Sequence, residues 1–480
     1  MTKKILLGIL LVISSFLKAQ EKPFIIKKFD SKARISSNPI EYNNNIYFGN
    51  DDGVFYALDA TTLEKRWSFK TSSIIRSKPV VNENMIYFKS GYDVYAINTE
   101  TGEKVWSYSK QAIKKATQQD YWDYHSGVPV IHKSNIYFGF EDGTICGFNL
   151  NSGEIEVILK ADDSSSIKSG LFVDGDILYF GDWNGKLYAY DLNKKERLWK
   201  YATYEKQEYP TFGQINTELT IYKDLLFFGA RNPEFQVIDI KSAQKKWSFI
   251  EKEGGWISGD PLIYKDTLFI AGSDNHKLFA FDPVSGDKFW EYEFLLNNFS
   301  KPVIYKDYIL FTTGDAYSVY GKSKGLGYLY ALNRKNGSIV NFSLIGGNLN
   351  STPLMKNENL FISSEDGYVY KIDINTFIKE SIKLSENGYR AFEIIKVDSE
   401  SDTNNVKIEY KVNYETNIKI LITDLSDNEI RQLHYDINKT GEYNIIWDKI
   451  DNNNNKAKPG YYFVEIKSGD SVMKMFFNIN

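Results

Sequence analysis

The sequence predicts an all-β chain: an eight-bladed β-propeller with four-stranded blades, followed by a small C-terminal β-sandwich. Three observations carry that reading. A block of about 42 residues recurs, the length of one four-stranded propeller blade. Two rare residue types fall at fixed offsets within it. The composition also favours strands, with 34 Tyr, 31 Phe and 9 Trp in 480 residues, because aromatic side chains suit a pleated, half-buried surface.

Each block opens a buried strand at Ile46, Ile86, Ile136, Leu178, Leu226, Leu268, Ile309 or Leu360, which makes eight copies. Seven residues earlier stands Pro39, Pro79, Pro129, Leu171, Leu219, Pro261, Pro302 or Pro353, so six of the chain's 11 Pro share one register position. Proline cannot donate to a sheet ladder, which places it at the opening of the first strand of each blade. In the third strand Ala57, Ala96, Gly147, Ala189, Val237, Ala280, Ala331 and Lys371 are equivalent. Ten residues on come Trp67, Trp106, Val157, Trp199, Trp247, Trp290, Asn341 and Ser381, which uses five of the nine Trp. A large flat ring at so fixed a place is expected to pack between neighbouring blades rather than hold a ligand. Between the second and third strands lie turns such as Asp51-Asp52-Gly53 and Glu141-Asp142-Gly143. They read as hairpin turns, since they lack the dense ligand spacing of a calcium loop.

The segments Ala96 to Trp106 (AINTETGEKVW) and Ala280 to Trp290 (AFDPVSGDKFW) resemble the tryptophan-docking repeat of quinoprotein alcohol dehydrogenase-like propellers. That superfamily holds pyrroloquinoline-quinone-dependent dehydrogenases and also the non-catalytic outer-membrane assembly propeller BamB. The resemblance spans about residues 36–384 and speaks to fold more than to activity. How the ring closes is open at this stage: residues 24–29 (FIIKKF) or residues 377–384 would supply the outermost strand of the last blade.

Outside the repeat, residues 1–19 read as a signal peptide. Lys3 and Lys4 precede an apolar run too short to span a bilayer comfortably, and Ala19 stands at the cleavage point. The chain is therefore expected to be exported, to the periplasm, the cell surface or the medium, with no transmembrane segment once mature. The propeller is assigned to residues 23–384, a linker to 385–404 and an immunoglobulin-like β-sandwich to 405–480. Six strands are read there, at 406–412, 418–424, 432–436, 443–447, 461–467 and 473–477. The phrases IKILITD (418–424), GEYNIIWD (441–448) and PGYYFVEI (459–466) resemble FlgD-like immunoglobulin-type domains and the related type IX secretion sorting domains. The resemblance implies attachment or delivery to the cell surface, or a plain structural module.

Strand alternation sends the first-to-second and third-to-fourth turns to one side of the disc, and the second-to-third turns and inter-blade connections to the other. The connections from the Trp position to the next Pro position run 12 to 14 residues, except for 23 and 20 at residues 110–126 and 202–216. A third insertion falls at 312–327, so all three decorate one side. Variable loops on a rigid scaffold are where binding concentrates. The candidate contact residues are Tyr121, Trp122, Tyr124, His125, Tyr209, Phe212, Tyr317 and Tyr320, joined by Trp256.

A net charge of −4 argues against nucleic acid, which calls for a basic patch. One cysteine, Cys146, excludes an intramolecular disulfide and any multi-cysteine metal site. The four His (His125, His132, His276, His434) are scattered, with His132 expected at the surface beside a hairpin and His125 and His276 on the loop side. No zincin, nucleophile-elbow or phosphate-loop pattern occurs. Neither the quinone nor calcium is therefore expected as a cofactor, no residue is assigned a catalytic role, and no metal ligands are assigned. The function read from sequence is a non-catalytic envelope or surface scaffold contacting a protein, or a glycan. A quinone-dependent dehydrogenase and a carbohydrate-binding module stand as alternatives.

Overall fold

The computed structural model describes residues 22–110, 127–204, 213–252, 254–294, 296–314, 325–385, 392–399, 404–412, 416–426, 428–439, 441–468 and 471–479. The chain divides into two compact units, Met1–Phe377 and Ile378–Asn480.

In the first unit eight four-stranded antiparallel sheets follow one another along the chain. The first is built from Ile40–Tyr42, Asn45–Gly49, Val54–Asp59 and Lys65–Lys70 in sequence order. Its innermost strand starts immediately after Pro39, and the innermost strands that follow start after Pro79, Pro129, Leu171, Leu219, Pro261, Pro302 and Pro353. The second strand is buried on both faces: Ile46, Tyr47 and Phe48 are fully enclosed, as are Ile86, Tyr87 and Phe88 one blade on. Aromatic rings bridge neighbouring sheets, with Phe55 and Phe88 stacked at 4.0 Å between centroids.

Ring closure separates the two possibilities left by the sequence. Strand Ile25–Asp30 pairs antiparallel with Tyr368–Asp373 and completes the sheet of Leu354–Lys356 and Asn359–Ser363. The innermost strands of the first and last sheets then lie side by side. Residues 377–384 are not a strand; they belong to a helix, Ile374–Ser385. Asp373 caps it, accepting the Thr376 amide at 2.6 Å. Ile374, Phe377 and Ile378, at helical spacing, are buried. Phe24 packs edge-on against Phe377 at 5.1 Å.

In six blades a hydroxyl stands two residues before the strand-opening position and pins the end of the adjacent second strand; Gly127 and Gly259 take its place in the other two. Ser37 Oγ donates to Gly49 O at 2.8 Å and accepts from Gly49 N at 2.9 Å. Ser77, Ser169 and Thr217 repeat both bonds at Lys89, Gly181 and Gly229. Two residues before these four hydroxyls, Ile35, Ile75, Ile167 and Ile215 are enclosed. Four blades therefore carry an Ile-x-Ser/Thr-x-Pro/Leu signature that ties the connection to its own blade.

The second unit is a sandwich of a three-stranded and a four-stranded sheet. The core is built from alternating residues such as Val406, Ile408, Tyr410, Ile418, Ile420, Ile422, Val464 and Ile466, with Trp447 fully enclosed. It has seven strands rather than six. The additional one, Phe392–Asp398, lies inside the segment read as linker and pairs with Val406–Val412. The acidic run begins at Asp398, the last residue of this strand.

Candidate functional site

A bulge follows the pair that each tryptophan makes with the third strand, and it recurs in the blades with Val157 and Asn341 at that position. Ala57, Ala96, Ala189, Val237 and Ala280 stand opposite Trp67, Trp106, Trp199, Trp247 and Trp290, and the register shifts immediately after each pair. The indole Nε1 then donates to a carbonyl in the next blade: Thr99 (3.0 Å), Leu150 (2.9 Å), Ile240 (2.8 Å), Pro283 (3.1 Å) and Arg334 (3.2 Å) respectively. All five indole nitrogens are thus engaged by the neighbouring blade.

On the axis, residues from distant blades meet. A cavity there is lined from two positions of the repeat. Immediately before the strand opening stand Asn38, Lys78, Val128, Gly170, Glu218 and Asp260, and two residues earlier stand Ser36, Arg76, Lys168 and Asn216. Glu218 of the fifth blade accepts from Lys78 of the second at 2.8 Å and from Lys301 of the seventh at 3.2 Å. Burial alone would raise the Glu218 carboxyl, but the two ammonium groups outweigh it and hold it down at about 2. Burial works against the Lys78 charge too, and Glu218 overcomes it, so Lys78 is raised. The ring is also knit blade to blade: Asp260 Oδ1 accepts the Glu218 amide at 2.7 Å, Thr352 Oγ1 that of Lys301 at 3.1 Å, and Asn38 Oδ1 that of Thr352 at 2.7 Å.

On the loop-bearing side of this axis, aromatic and cationic groups alternate. Lys168 Nζ lies 4.3 Å from the centre of the Trp183 ring, and the Arg231 guanidinium lies 4.8 Å from Trp183 and 5.4 Å from Trp256. Lys168 and Arg231 are buried, at 6% and 5% exposure, while both indoles are half-buried. The turn that carries Trp183 is fixed by Asp182, whose Oδ1 accepts the Asn184 and Lys186 amides at 2.9 Å each. Burial raises the Asp182 carboxyl above its usual range. Asp274, raised by burial and opposed by Arg231, completes the group.

Of the nine loop residues proposed from sequence, Trp256 falls in this cluster. Tyr121, Trp122, Tyr124, His125, Tyr209, Phe212, Tyr317 and Tyr320 lie outside the described residues. The neighbouring Tyr204 is described, and its hydroxyl donates to Asn184 O at 2.6 Å. His276 sits in a second-to-third-strand turn on the loop side, where burial pushes it down to about 4. His132, expected at the surface, is half-buried instead, because Asp176 of the next blade's hairpin comes within 2.9 Å. Sequence reasoning missed Lys168, Trp183, Asn216, Glu218 and Arg231. The Pro register pointed at the axial positions, which are the residues one and three places before it.

Eight four-stranded sheets in succession, the last completed by the first strand of the chain, define a β-propeller. A family model described as outer membrane protein assembly factor BamB matches residues 27–201 and 159–377, and the chain belongs to that family. It is 21% identical over 347 residues to the outer membrane protein assembly factor BamB of Shewanella oneidensis, covering 70% of each chain. To the BamB of Francisella salina it is 26% identical over 125 residues, 26% of this chain and 22% of that one. Among solved structures, BamB from Moraxella catarrhalis superposes with a TM-score of 0.57 at 16% identity, covering 72% of this chain and 98% of that one. A europium-containing methanol dehydrogenase also gives 0.57, at 12% identity over 70% and 84%. At such identities the likeness to solved structures is one of fold.

Proposed function

We propose that this chain is an exported, non-catalytic scaffold of the cell envelope whose loop-bearing propeller face docks a protein partner. The C-terminal sandwich serves attachment or sorting. One observation carries the reading: Trp183 and Trp256 meet around Arg231, on the side to which strand alternation assigns the second-to-third turns and inter-blade connections. Tryptophan and arginine are the residues that most often anchor protein interfaces. Membership in a family described as an outer membrane protein assembly factor supports a protein partner over a small molecule.

A photo-crosslinking residue at position 256 of the full-length protein tests this in its own cells, with position 265 on the opposite side as reference. Crosslinks to a partner from 256 and none from 265 are expected. Equal yields, or yields from 265 alone, overturn the reading.

The pairing of the axial Glu218 supports a reading without a quinone and its metal. Glu218 is committed to two lysines, which leaves it without the open oxygen set a calcium ion takes. A spectral shift and dye reduction on titration with the quinone and calcium would reverse this. For the sandwich, truncation after Ser385, which respects all seven strands, is expected to abolish surface delivery. Unchanged delivery removes the sorting role.

A further inference from the structure

The turn that receives Trp290 holds a reactive pair that its counterparts lack. In the third-to-fourth-strand turns of four other blades the equivalent residue is Thr62, Thr101, Ser152 or Ser285. Its hydroxyl accepts the amide two residues on, from Glu64, Glu103, Glu154 and Asp287 respectively. In the seventh blade the residue is Asn336, and its Oδ1 takes the corresponding bond from the Ser338 amide at 3.1 Å. The Ser338 hydroxyl donates to the same oxygen at 2.8 Å. Asn336 and Ser338 are both exposed. A carboxamide folded back in this way, as an Asx turn, brings its Cγ close to the backbone nitrogen of Gly337. Having no side chain, Gly337 leaves that nitrogen open to ring closure.

We propose that Asn336 is a self-modifying site, at which the Gly337 nitrogen attacks the Asn336 carboxamide and converts the asparagine to aspartate and isoaspartate. The Gly337 N–H proton passes to hydroxide, a bond forms from Gly337 N to Asn336 Cγ, and the Cγ–Nδ2 bond breaks to release ammonia. Water then opens the cyclic imide. Addition at Cγ leaves aspartate. Addition at the main-chain carbonyl carbon of residue 336 leaves isoaspartate, with the chain running through Cβ and Cγ. The negative charge of the tetrahedral adduct develops on Oδ1, where the Ser338 amide and hydroxyl both donate, the arrangement that stabilises an oxyanion in acyl transfer. The Gly337 N–H donates to Asn333 O at 2.9 Å, so attack waits on local opening of this exposed turn. Isoaspartate lengthens the backbone beside Gly337, where a Cβ would already come within 2.6 Å of the Trp290 indole. It also disturbs the turn whose Arg334 carbonyl accepts Trp290 Nε1 at 3.2 Å. The modification therefore loosens the seam between the sixth and seventh blades.

Of the chain's other Asn-Gly pairs, residues 387–388 lie outside the described residues, and Asn184-Gly185 serves as an internal reference. Asn184 is half-buried, and its main-chain carbonyl holds the Tyr204 hydroxyl at 2.6 Å. The test incubates full-length protein in warm, mildly alkaline buffer and maps it by mass spectrometry, with isoaspartate scored by enzymatic methylation. Residue 336 is expected to convert about tenfold faster than residue 184. Ser338→Ala, which removes the hydroxyl donor and keeps the amide, is expected to slow residue 336 about fivefold and leave residue 184 unchanged. Asn336→Ser carries the residue type of the equivalent turns and is expected to hold its urea midpoint through the incubation, while the wild-type midpoint falls as isoaspartate accumulates. Conversion of residue 184 as fast as residue 336, or an unchanged rate in Ser338→Ala, overturns the proposal. A wild-type midpoint that holds while isoaspartate accumulates overturns the link to the seam.

Discussion

The seam between the first and second blades and the seam that closes the ring meet the same need with different atoms. At the first, Trp67 reaches across to Thr99 O, and Gly102 lies beneath its ring, where a Cβ would come within 2.6 Å of the indole. At the closing seam Lys371 stands in the alanine position and Lys27 stands opposite, where the tryptophan would be. The Lys371 ammonium donates to Ala60 O at 3.1 Å and Thr61 O at 2.7 Å, and Ala60 is the repeat equivalent of Thr99. Leu63, not glycine, occupies the turn. The contrast extends around the ring. Trp67, Trp106, Trp247 and Trp290 face Gly102, Gly153, Gly286 and Gly337. Trp199 faces the turn holding Ala243, which keeps a φ of 55°. Val157 sends no indole across, and the next blade's turn has Lys195. At five of the eight seams the unit is thus two residues, tryptophan and small residue, divided between consecutive repeats.

The largest test of that contrast is Trp106→Ala, which empties the most buried of the five docking sites and is expected to cost about 4 kcal/mol in urea unfolding. A comparable loss from Val157→Ala would break the distinction between seams with and without the ring. Next comes Glu218→Gln, which leaves Lys78 and Lys301 facing each other across the axis and is expected to cost about 3 kcal/mol. It also sharpens the comparison by pH. The Glu218 carboxyl sits at about 2 in the folded chain against about 4.3 unfolded. Its contribution is therefore complete above about pH 4.3 and lost as the pH falls towards 2. Wild type should lose stability across that window more steeply than Glu218→Gln. The smallest effect is expected of Lys371→Met, about 2 kcal/mol for two carbonyls stripped of their donor. Because it acts at the closing seam, limited proteolysis should release the Ile25–Asp30 strand in Lys371→Met before any cleavage in Trp106→Ala.

Much of the fold was legible because proline and tryptophan are rare, and each marks a backbone or packing demand common to the blades. The strand after each Pro position and the ring of sheets follow from that register. The glycine partners escaped notice because they belong to the following repeat, and an alignment of blades one upon another does not display couplings between them. Lys371 was aligned with six small residues and a valine, yet a lysine among them has meaning only once Lys27 and Ala60 are seen beside it. Strand Phe392–Asp398 was hidden by the acidic residues that follow it, and the helix after Asp373 by a run of β-branched and aromatic residues that also suits a strand. The axial site was least legible of all. Its members come from different blades, and only a closed ring brings Lys78, Glu218 and Lys301 together.

The outermost strand of the last sheet is the first stretch of the propeller to be synthesised. Ile25–Asp30 therefore waits without a partner until the chain has emerged through Asp373. Pairing the two ends closes the longest loop the molecule contains and carries the corresponding entropic barrier. Assembly of the ring cannot finish strand by strand in the order of translation; it is completed only once the whole length of the propeller is available.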